Sequence, residues 1–126
     1  MTKLSFGHIT QWGTATSNHN DRGMATGCLN LKILDLGDSV ETIYTCNCYK
    51  DTALQAVLIN VSTPPTITGN DSTSSNVLSY LFGNLSVIVY VPDAAVNTYK
   101  SANKWSVFAN SIKGLSEYNE ANILGS

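Results

Sequence analysis

The sequence predicts an α/β (α+β) solenoid, made of short β-strand coils of about 23 residues and closed by a C-terminal helical cap. Three observations predict it. GCLNLKILDL places Leu31, Leu34 and Leu36 at the spacing L-x-x-L-x-L, and DTALQAVLIN repeats that spacing with Leu54, Val57 and Ile59, each shifted by 23 residues. NLSVIVYVP carries a third set, Leu85, Ile88 and Tyr90, shifted by 31, which is one period plus an insertion of eight. A period in the twenties with this internal spacing gives one short strand per coil, its leucines pointing into a core shared with the neighbouring coils, as in leucine-rich repeats.

In chain order, residues 1–26 read as an irregular or degenerate first repeat. KLSFGHIT alternates as one strand, with Leu4, Phe6 and Ile9 as the residues to bury, and TATSNHNDRG is a polar loop. Residues 27–90 hold the repeats. Between their strands DSVETI turns the chain back, and Val40 and Ile43 supply the far side of the core. The insertion at 63–75, TPPTITGNDSTSS, has paired prolines and a polar run, and reads as turn and loop.

Residues 91–115 are the cap. Asp93, after Pro92, has the short acceptor side chain of an N-cap, so a helix is expected to start there. Ala95, Val96, Tyr99 and Ala102 form its apolar stripe, opposite Asn97, Lys100 and Ser101. Asn103 is a candidate left-handed terminator. A second apolar set, Trp105, Phe108, Ala109 and Ile112, runs at helical spacing until Gly114 stops it. Tyr99, Trp105 and Phe108 are expected in the core, not in a ligand site. The tail, 116–126, lies outside this pattern.

These residues resemble a known family, the leucine-rich repeats of BspA type found in surface proteins of Bacteroides-like bacteria and some other microbes. GCLNLKILDLGDSVETI is similar to its repeat, in which GC, a spacer and a leucine strand precede an S-V-x-x-I turn. Cys28 matches the repeat cysteine, a core residue in that family. The second repeat departs, with Asp51 at the cysteine position and Cys48 where Phe is usual. TPP followed by YVPDAAVNTYKSANKWSVFANSI resembles the family's terminal unit, so the resemblance covers residues 27 to about 115. It implies a mostly non-catalytic adhesin or host-interaction module, with related repeats in phage appendages.

Composition narrows the function further. Charged residues are 13% of the chain and the net charge is −2, which leaves no basic patch for nucleic acid and no polybasic membrane anchor. Apolar runs such as VIVYV are too short to span a bilayer. MTKLSFGHITQWG lacks the n- and h-regions of a secretory signal, so the chain is expected at a cell surface as a piece of a longer precursor, or alternatively in a virion. Cys28, Cys46 and Cys48 are an odd number and read as buried apolar thiols; Cys46 and Cys48 make half a metal site at most, and no metal or cofactor is expected. Asn60, Asn70 and Asn84 begin sequons, with no glycan assigned.

No nucleophile elbow, Walker-type loop or paired-carboxylate motif is present, and no catalytic residue is assigned. An enzymatic alternative would be a hydrolase using His8 or His19 with Asp21. The expected function is a protein-binding or adhesion module of a bacterial surface protein, and the alternative a tail-fibre or head-decoration component of a phage. A solenoid binds through its strand face, which nominates Lys32, Asp35, Gln55, Leu58, Ser86 and Val89. The N-terminal end has only KLSFGHIT to close it, so it is expected either to pair with a partner, such as a second copy, or to be continued by further sequence.

Overall fold

The computed structural model describes residues 3–12, 31–45, 53–69, 75–82 and 85–124. Within them the strands are β1 (Lys3–Ser5), β2 (Gln11–Trp12), β3 (Ile33–Asp35), β4 (Thr42–Tyr44), β5 (Ala56–Leu58), β6 (Thr66–Thr68), β7 (Ile88–Val91) and β8 (Ile112–Gly114). The helices are α1 (Val77–Phe82), α2 (Val96–Ser101) and α3 (Glu120–Leu124), with 3₁₀ turns at Asp93–Ala95, Trp105–Ser111 and Leu115–Glu117. The chain alternates between two parallel sheets. One has five strands in the order β1-β3-β5-β7-β8, the other three in the order β2-β4-β6.

This architecture corrects the expected leucine-rich-repeat solenoid: the molecule is a small α/β fold on two parallel sheets. The expectation of one strand per coil is overturned by the second sheet, and in the first the aligned residues Lys3, Ile33, Ala56 and Ile88 are separated by 30, 23 and 32 positions. The second sheet comes from segments read as turns. Thr42–Tyr44 and Thr66–Thr68 are short β-branched and aromatic alternations that bury Ile43 and Ile67. The latter lies inside the stretch expected to be loop. Pro65 stands just before β6, where a missing ladder N–H is tolerated.

The third leucine set is corrected by one residue. Pairing of β5 with β7 puts Val57 opposite Val89, so Val87, Val89 and Val91 point inward while Leu85 is 56% exposed and Ile88 and Tyr90 are half-buried. In a strand, such a slip exchanges the two faces completely. The first two sets are inward, as expected: Leu31, Leu34, Leu36, Leu54, Val57 and Ile59 are all buried. Across from them lie Trp12, Val40, Ile43 and Ile67. Leu4, Phe6 and Ile9 pack partly buried on the same core. Helix α1 adds Val77, Leu78, Leu81 and Phe82 from one face.

The cap is only partly helical. Asp93 does not act as the N-cap; Pro92 stands in that position without a side-chain bond. The left-handed residue is Lys104 (φ 70°), not Asn103. The second stripe forms a 3₁₀ turn with a kink at Phe108 and then continues as β8, which pairs Ile112 with Val89. Its aromatic residues are core, as expected. Tyr99 and Trp105 meet edge to face at 5.0 Å, and their polar tips are satisfied by donating to the carbonyls of Val61 (2.6 Å) and Pro65 (2.8 Å).

The outer face of the five-stranded sheet is also covered. Ile33, Ala56 and Leu58 are buried under Tyr90, Leu115, Tyr118 and Ile123. The tail that the sequence pattern leaves out therefore lies across the sheet as a strap. Lys3 Nζ, on the edge strand β1, donates to Glu120 Oε1 at 2.6 Å and ties the strap down.

Candidate binding surface at the turn edge

Strands β1, β3 and β5 each end in a turn that carries the chain to the other sheet, and these turns stack. Phe6 N–H donates to Asp35 O, Leu36 N–H to Leu58 O and Ile59 N–H to Tyr90 O, at 2.8–2.9 Å. Beyond the strands the ladder continues: Asp38 N–H reaches Gly7 O at 3.2 Å and Asn60 N–H reaches Gly37 O at 2.9 Å. Gly37 makes this stacking possible. It has φ 81°, and a Cβ there would overlap the carbonyl oxygens of Phe6 and Gly7. The turn side chains are thus held on a hydrogen-bonded frame.

His8 and Asp38, 30 positions apart in sequence, meet on this edge, with Nδ1 2.7 Å from Oδ1. A carboxylate can only accept, so Nδ1 carries the proton. Ser39 Oγ donates to the same carboxylate oxygen at 2.8 Å. The His8 bond first, and the Ser39 bond second, hold the Asp38 carboxyl below its ordinary range. Asp35 Oδ1 accepts the Gly37 N–H at 2.9 Å, fixing a second carboxylate beside the first.

Two grooves meet at Asp38. One, of about 380 Å³, has Phe6, Leu58 and Leu115 as its apolar part and His8, Asp35, Asp38 and Asn60 as its polar part. The other, of about 560 Å³, runs toward the second sheet between Thr10, Ser39, Glu41, Val61, Thr63 and Pro64. A smaller hollow between Pro64–Ile67 and Ala102–Trp105 lies where Trp105 and Lys104 already bond the carbonyls of Pro65 and Ile67.

Among the described residues of this edge, no nucleophile, base and acid stand in series. Ser39 is bonded to the carboxylate, and His8, whose side chain is 81% exposed, presents its other nitrogen to solvent. The arrangement can position hydrogen-bond donors and acceptors beside apolar surface, which suits recognition.

Of the nominated strand-face residues, Gln55 and Ser86 are exposed and Lys32 is half-buried, all just before strands β3, β5 and β7. Asp35 is half-buried at the turn edge. Leu58 (7% exposed) lies under the strap and Val89 (0%) faces the inner core, so both are corrected from exposed to buried. His19, Asp21, Cys28, Cys46, Cys48, Asn70 and Asn84 lie outside the described residues. Among the described residues there is no cluster of three or more His, Cys, Asp or Glu side chains placed to hold a metal ion, and no helix is long and apolar enough to cross a membrane. The sequence reading missed Asp38 and Asn60; only the β1–β3–β5 register brings them beside His8.

No protein-family model matches this chain, and no curated protein matches it.

Proposed function

We propose that this chain is a non-catalytic protein-binding module of adhesion type that meets its partner through the turn edge around His8, Asp38 and Asn60. One observation carries the reading: two grooves converge on Asp38, on a frame of stacked turns, while the neighbouring strand face is occupied by the chain's own strap. Fixed polar groups beside apolar surface limit the ordering cost of association. The bonding of Ser39 to Asp38 instead of His8 supports a recognition role over a hydrolytic one.

The test is a binding panel: the labelled full chain against immobilised purified extracellular-matrix and cell-surface proteins. Saturable binding that Asp38→Lys and Asn60→Ala abolish and Gln55→Ala leaves intact is the expected result. Absence of saturable binding across the panel, or binding indifferent to Asp38→Lys, would count against it.

A further inference from the structure

We propose that Leu115–Leu124 is an exchangeable strap, and that the apolar face beneath it docks the same segment from a second copy of this chain. Closure rests on side chains. Tyr118 sets its ring edge on Tyr90 at 5.3 Å, while Leu115 and Ile123 cover the Ile33–Ala56–Leu58 patch. The polar latch is Lys3 Nζ to Glu120 Oε1 at 2.6 Å, joined by Tyr118 OH at 2.9 Å.

The sheet ladder ends at β8, so no strand pairing has to break for the strap to leave. Ser116 N–H donates to Asp93 Oδ1 at 3.1 Å, tying the strap to the cap through a side chain. The pivot is Gly114, where the backbone is extended (φ −78°, ψ 151°). Charge complementarity names the occupant: Glu120 fits Lys3, and one sequence supplies both strap and face, so exchange between copies would keep every contact. Protein concentration then decides between the closed monomer and the exchanged dimer. Leu58 and Leu115 also line the turn-edge groove, so the two readings share those residues, and the peptide titration tests the strap without any turn-edge ligand.

The test uses a labelled peptide, LSEYNEANILGS (residues 115–126), titrated into the full chain. Tyr118→Ala weakens the strap in cis, so the peptide should bind that variant roughly tenfold or more tighter than wild type. Adding Lys3→Glu should weaken binding by roughly two- to fivefold, restored by a peptide carrying Glu120→Lys. If Tyr118→Ala loses its folded core, Ile123→Ala carries the same comparison. Light scattering of the wild-type chain should show a dimer fraction that grows with concentration and falls when peptide is added.

A peptide that binds no strap-weakened variant, or binds without regard to the charge exchange, would overturn the proposal. Peptide binding to a protein that stays monomeric at every concentration would overturn the second-copy assignment in favour of a foreign segment of the same chemistry.

Discussion

Tyr118 rests the edge of its ring on Tyr90, with centroids 5.3 Å apart and planes at 65°, and this contact helps cover the outer face of the five-stranded sheet. Tyr90 stands on the outward side of β7, where a strand-face binder would present its ligand contacts. With Tyr118 on it, Tyr90 is half-buried, while His8, Asp38 and Asn60 line a groove at the stacked turns.

The strap should be closed only within a pH window. Lys3 first, and Tyr118 second, hold the Glu120 carboxyl below its ordinary 4.5. A lowered folded-state pKa contributes stability that is full above the ordinary value and is lost as pH falls through the folded one. At the other end, burial, and then the bond to Glu120, raise the Tyr118 hydroxyl above its ordinary 10.0. That contribution is full below the ordinary value and is lost as pH rises through the folded one. The hydrogen-exchange protection factors of residues 115–124, taken relative to the intrinsic rate at each pH, should therefore fall on acidification below about 4.5 and in strong alkali, and Glu120→Gln should flatten the acid limb.

The one-residue register of β7 predicts opposite outcomes at two apolar positions. Leu85, mostly exposed, should accept Leu85→Lys with a change within about 0.5 kcal/mol. Val89 is fully buried between Val57 and Ile112 in register, so Val89→Asp should cost more than about 3 kcal/mol or prevent folding. Urea denaturation of the two variants distinguishes this register from the alternative in which Leu85, Ile88 and Tyr90 face inward.

Beside the Lys104 Nζ bond to Ile67 O, two aromatic side chains fasten the cap to the stretch that leads into β6 by hydrogen bonds. Trp105→Phe leaves the Pro65 carbonyl without its donor, and Tyr99→Phe does the same to Val61. Tyr99→Phe keeps its ring and should cost about 1–3 kcal/mol with little change in the denaturant slope, whereas Trp105→Phe should cost more, because the smaller ring also leaves a cavity where the indole was buried.

Gly114 approaches Asp93 so closely that a Cβ would overlap the carboxylate which holds Ser116 N–H. Gly114→Ala should displace that carboxylate and cost about 1–2 kcal/mol. Asp93→Ala removes the obstacle together with the bond, so the double variant should be only slightly less stable than Asp93→Ala alone. A double-mutant cycle measures this non-additivity.

Much of the core was legible in the sequence. The spacing of Leu31, Leu34 and Leu36 and its copy at Leu54, Val57 and Ile59 located β3 and β5, and Val40 and Ile43 were assigned to the far side. The third set failed because VIVYV is apolar at every position, so no alternation marks which side faces in. The second sheet was hidden because its strands are two or three residues long and β6 is bounded by Pro65 and Gly69, which read as turn. The strap escaped notice because SEYNEANIL is mostly polar: Tyr118 and Ile123 bury against the sheet while Glu117, Ala121 and Asn122 stay exposed. The His8–Asp38 pair could not be read locally at all, since only the β1–β3 register joins two residues so far apart.

The most direct measurement is methyl NMR in the presence of a soluble gadolinium chelate. If the strap occupies the strand face, the methyls of Leu58 and Ile33 are protected to nearly the extent of Leu34 and Val57 in the inner core, while the exposed Leu85 methyls broaden strongly. Broadening of the Leu58 and Ile33 methyls to the level of Leu85 would contradict the account and return the strand face to the solvent.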